Sequence, residues 1–88
     1  PKGPDLSVAL ANLRAFLADI IPAGNMLVVK TREGGAQPVG LALDQLKLEG
    51  IAGTLAGDDT VLVVVRDGHK ASEVAVEIWG RVDEVSAA

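Results

Sequence analysis

Apolar and polar positions along the chain change period several times, and each change predicts an element. Leu6, Leu10, Leu13, Leu17 and Ile20 recur at helical spacing, while Phe16, Ala18 and Ile20 alternate like a strand around Asp19. The pattern predicts a short helix to about Leu13 and then a strand to Ile21. Pro22-Ala23-Gly24-Asn25 is a turn signal. Met26 to Thr31 is an apolar, β-branched run that reads as a strand paired across that turn. Glu33-Gly34-Gly35 breaks it. From Ala36 to about Lys47 the period is helical, with Val39, Leu43 and Leu46 on one face, and Pro38 fits the first turn, which has no intrahelical use for its missing N–H. Ile51 to Ala56 and Thr60 to Val65 predict two strands joined by Gly57-Asp58-Asp59. Val61 to Val65 is apolar at every position, so this strand is expected to be covered on both faces, which a two-layer monomer does not do and which points to an oligomer. A last helix from about His69 to Val82 carries Ala71, Val74, Ala75, Ile78, Trp79 and Val82 on one stripe.

The order is ββαββα, preceded by a turn of helix. It predicts one α+β domain over residues 1–88, a two-layer sandwich with two helices on one face of a four-stranded, mainly antiparallel sheet. Composition adds a constraint. A chain of 88 residues that is 49% apolar and 23% charged holds more apolar surface than so small an interior can bury. Part of that surface is expected in a subunit interface.

Charge and residue counts remove several function classes. With no cysteine and a single histidine, His69, the chain has no disulfide framework and no zinc site of its own. The longest apolar run is too short to span a membrane, and no signal-peptide pattern opens the chain, so a cytoplasmic protein without membrane contact is expected. The opening Pro1 points to processing or an excised domain. A net charge of −4 does not suit a duplex-binding surface, which needs clustered Lys and Arg. It suits a cationic ligand.

Three polar features could carry chemistry. Asp58-Asp59 can be ordinary turn residues, or a carboxylate pair that repels itself unless a cation sits between, for which a guanidinium is well matched. Gln37 and Asp44, two helical turns apart, point the same way with Gly40 between them. They form either a solvated face or a slot where a small polar molecule lies close to the backbone. Gly34-Gly35 enters a helix N-terminus but lacks any phosphate-loop pattern and reads as a plain loop. Lys30 and Arg32 flank a strand end and read as solvated charges, and Trp79 reads as core or interface. Ser7, Ser72 and Ser86 have no base beside them in the pattern, so nucleophilic catalysis has no support and no enzyme is expected.

Gly34-Gly35-Ala36-Gln37, then Asp44, then Gly53-Thr54-Leu55-Ala56-Gly57-Asp58-Asp59-Thr60 together resemble the C-terminal domain of bacterial arginine repressors, and the resemblance covers nearly the whole chain. It implies a domain that forms trimers and pairs them into a hexamer, with L-arginine bound as corepressor between the trimers. By match of motif, Gln37, Asp44, Thr54, Ala56, Asp58 and Asp59 contact the ligand. Asp58-Asp59 takes the guanidinium across the interface, and Gln37 and Asp44 hold the backbone end. No metal, catalytic residue or further cofactor is implied. Operator DNA is bound by an N-terminal winged helix-turn-helix that this chain lacks. Two positions depart from the family pattern: Pro38 follows Gln37, and Glu33 stands where a proline is usual. The rival readings are a structural oligomerisation module without ligand response, and an enzyme using Asp44, Asp58 and Asp59 as metal ligands.

Overall fold

The computed structural model describes residues 6–87. Its elements are α1 (Ser7–Phe16), β1 (Leu17–Ala23), β2 (Met26–Thr31), α2 (Ala36–Leu46), β3 (Ile51–Ala56), β4 (Thr60–Val65) and α3 (Ala71–Ala87). The strands form one antiparallel sheet in the order β1-β2-β4-β3. The predicted α+β sandwich is therefore present, with three differences of extent. The first helix continues past Leu13 to Phe16, whose side chain packs against the same core as Leu10 and Leu13. Strand β1 runs on to Ala23, paired with Met26 across the turn. Helix α3 starts at Ala71, after a turn in which Gly68 has φ +87° and the Lys70 carbonyl accepts from the N–H groups of Glu73 and Val74.

The hairpin turns follow from backbone chemistry. Gly24, at φ +62°, takes the first of the two turn positions between Ala23 and Met26, a conformation that glycine adopts without steric cost. Register is then fixed by alternation. Leu27, Val29, Val61, Val63 and Val65 point into the core, where Leu13, Leu43 and Ile78 meet them. Met26, Val28 and Leu62 on the other side are half-buried, and Val64 is 42% exposed. Strand β4 is thus covered on one face only within the chain, as expected of a two-layer domain taken as a single copy. The reason is that helices α1, α2 and α3 all join the core formed by the inward residues, and among the described residues no element crosses the outer face.

The entry to α2 is fixed by a close approach. A Cβ on Gly35 would stand 2.7 Å from the Cβ of Phe16 at the end of α1. Gly34 before it has φ +77°. Both glycines therefore have structural reasons, as the plain-loop reading expects. Gly35→Ala is expected to destabilise the chain by about 1–3 kcal/mol, the cost of overpacking, read as a lower urea midpoint at unchanged slope. Phe16→Ala in the same background should not restore it, because the obstructing atom is the Cβ that alanine keeps.

Candidate functional site

Helix α2 lies over edge strand β3 and its neighbour β4, and the approach is close because the facing side chains are small. Gly40 is buried, and a Cβ there would meet the Ala56 Cβ at 3.4 Å and the Val61 methyls at 3.9 Å. Along this contact runs an open groove of about 280 Å³. Gln37, Gly40 and Asp44 line it from the helix, Thr54 and Ala56 from the strand. The Thr54 hydroxyl donates to Asp44 Oδ1 at 2.9 Å and ties helix to strand across the groove. Leu41 and Leu55 also line it while remaining 57% and 71% exposed.

Four of the predicted ligand residues, Gln37, Asp44, Thr54 and Ala56, are therefore brought together by the fold. The slot inferred from Gln37, Gly40 and Asp44 is real, with Gly40 as part of its wall. Asp58 and Asp59 are not in it. They line a separate, wider depression of about 590 Å³ with Thr31, Glu33 and Gly34. The groove is near the lower bound of small-molecule pockets, roughly 300–1,000 Å³, and a single copy leaves a ligand there largely exposed. Beyond Asp44 a third depression runs toward Lys47, Glu49 and Arg66. There the Arg66 guanidinium is engaged with the Glu49 and Ile51 carbonyls at 2.9 and 3.3 Å.

The acidic turn is held by its backbone. The Gly57 N–H donates to the Thr60 carbonyl at 2.7 Å, and the Thr31 N–H donates to the Asp59 carbonyl at 2.8 Å. The two carboxylates differ. Asp59 Oδ1 accepts from the Thr60 hydroxyl at 2.9 Å and lies 3.7 Å from Lys30 Nζ, which itself donates to Thr60 Oγ1 at 2.8 Å. Asp58 is exposed, and its side chain makes no bond or ion pair among the described residues. Lys30 is thus a member of the acidic turn and not simply a solvated charge. Sequence spacing could not show this, because Lys30 and Asp59 meet only through the β2–β4 pairing. Leu41 did leave a signal, an apolar residue one turn after Gln37 on the polar side of the helix. Among the described residues, no three His, Cys, Asp or Glu side chains stand together to hold a metal ion. Asp44 in the groove and the pair on the turn do not form the metal triad of the enzyme reading.

Comparison with known proteins points in one direction. The family described as "Arginine repressor, C-terminal domain" matches residues 13–79. The arginine repressor of Thermus thermophilus is 46% identical over 69 residues, covering 78% of this chain and 42% of that protein. That of Deinococcus radiodurans is 40% identical over 74 residues, 83% of this chain and 47% of the relative. That of Solibacter usitatus is 37% identical over 82 residues, 93% and 54% respectively. The chain spans about half the length of the curated relatives it matches. The chain belongs to the arginine repressor family, matching its C-terminal domain.

Proposed function

We propose that this chain is the arginine-sensing and oligomerisation part of a transcription regulator, forming trimers that pair into hexamers around L-arginine as corepressor. The observation that carries the reading is the split of the candidate residues. Gln37, Asp44, Thr54 and Ala56 line one groove, and the Asp58-Asp59 pair is exposed outside it. A ligand in the groove of one copy, met by the acidic turn of another, uses both halves. In this arrangement Asp44 accepts from the α-ammonium, the Gln37 amide donates to the α-carboxylate, and the guanidinium reaches Asp58 and Asp59 of the opposing trimer. Charge-assisted bonds of that kind are worth about 1.5–3 kcal/mol each. The names of the relatives describe regulators and not enzymes.

Electrostatics explain why such a ligand would control assembly. A chain of net charge −4 makes trimers that repel, and a guanidinium set between carboxylates relieves that repulsion. A ligand that binds only the assembled form stabilises it by about 2.7 kcal/mol per site at a hundred times its dissociation constant. By reciprocity, assembly raises the affinity for arginine. A winged helix-turn-helix carried N-terminal to each copy would then bind operator DNA with the avidity of a multivalent particle. The uncovered apolar face of the sheet, with Val28, Leu62 and Val64, supports self-association as the source of trimer packing.

Titration with L-arginine in a calorimeter tests the ligand, with citrulline as the neutral isostere. Saturable heat near one arginine per chain and none with citrulline is expected. Absence of heat, after refolding to strip carried-over ligand, would leave a structural oligomerisation module. Asp58→Asn and Asp59→Asn should each weaken arginine binding by about tenfold or more, one charge-assisted bond, with the circular dichroism spectrum unchanged. Normal binding by both would refute the assignment of the turn. Leu62→Lys should reduce the mass measured by sedimentation, and an unchanged mass would move the interface off the outer sheet face.

A further inference from the structure

We propose that Lys30 is a positioning residue of the acidic turn: through the Thr60 hydroxyl it fixes the Asp59 carboxylate, leaving Asp58 as the open group that a guanidinium meets first. This rests on the arginine-sensing reading above and deepens it by giving the two aspartates different roles. Lys30 and Thr60 are cross-strand partners in the β2–β4 ladder, so their side chains leave the sheet side by side. The Lys30 ammonium donates to Thr60 Oγ1 at 2.8 Å. A hydroxyl has one proton to give, and this one goes to Asp59 Oδ1 at 2.9 Å. The ammonium itself lies 3.7 Å from the same oxygen. With the Thr31 N–H on the Asp59 carbonyl at 2.8 Å, residue 59 is held through both backbone and side chain.

Lys30 is not diverted to its other acidic neighbour. Asp19 is its cross-strand partner on β1, but the Asp19 carboxylate accepts from the Ile20 N–H at 2.8 Å, and no ion pair joins it to Lys30 among the described residues. The pair Lys30–Asp59 is exposed, 41% and 60% at the side chains, so it adds little to the stability of one chain. Its effect is on orientation. Asp59 Oδ1 is engaged before any ligand arrives, and Oδ2 is presented in a fixed direction. An acceptor held in advance loses less freedom on binding than a free one.

The test is calorimetric titration of arginine into the wild type, Lys30→Met, Thr60→Val and the double variant. Each single change should raise the arginine dissociation constant about three- to fivefold, and the double variant should lose no more than either, because both remove one relay. Lys30→Arg and Thr60→Ser keep the donors and should bind as the wild type does. The arginine-free melting temperature of Lys30→Met should stay at the wild-type value. A Lys30→Met protein that binds arginine as tightly as the wild type, or more tightly, overturns the proposal, since the ammonium is then a bystander or a competitor. Losses that multiply in the double variant overturn the relay. A wild type that gives no heat with arginine sinks the sensing reading itself, and the role of Lys30 with it.

Discussion

The sheet has two faces, and the chain has helices for one. All three helices share the core built on Leu27, Val29, Val61 and Val63, and the opposite face keeps Val28, Leu62 and Val64 partly open to water. An antiparallel sheet tolerates this when the bare face is polar. Here the central strand β4 is apolar on both faces, so burying the second face from water remains a driving force of roughly 25 cal/mol per Å². That imbalance orders the rest of the molecule. It leaves an apolar surface on the side away from the helices.

Placing α2 over an edge strand has a chemical consequence. A helix packed at a sheet centre has neighbours on both flanks, whereas one at the edge leaves an open seam. Gly40 against Ala56 brings the two backbones close, and the seam beside that contact becomes the groove between Gln37, Asp44 and Thr54. Asp44 is oriented by the Thr54 hydroxyl, so the direction of its carboxylate is set within the chain.

Electrostatics govern the turn that follows β3. Two adjacent carboxylates on a hairpin turn repel, and solvent makes that tolerable in one chain. The Lys30–Asp59 contact is weak for the same reason. Bringing a second copy against the turn would remove water and lower the local dielectric, which strengthens attraction and repulsion alike. A cation between such surfaces would offset their repulsion, which is the physical basis of the role proposed for a guanidinium ligand.

Much of this was legible in the sequence. The strands from Met26 and Thr60, the helix after Gly35 and the final amphipathic stripe are local patterns of period two or 3.6, and local patterns survive folding. Gln37 and Asp44 were legible for the same reason, since seven residues on a helix fix which side chains share a face, whereas Thr54 and Ala56 came only with the family resemblance. The end of the first helix is ambiguous in the sequence because Phe16, Ala18 and Ile20 fit strand alternation while the leucines keep helical spacing, and in the structure the backbone turns extended at Leu17. The sequence determined the fold class, the one-sided arrangement of polar residues on α2 and the acidic turn between β3 and β4. The tertiary structure alone decided that the acidic turn lies outside the groove and that Lys30 reaches Asp59 through Thr60. Each of those depends on which strand lies beside which, and strand order is set by long-range packing that no local period records.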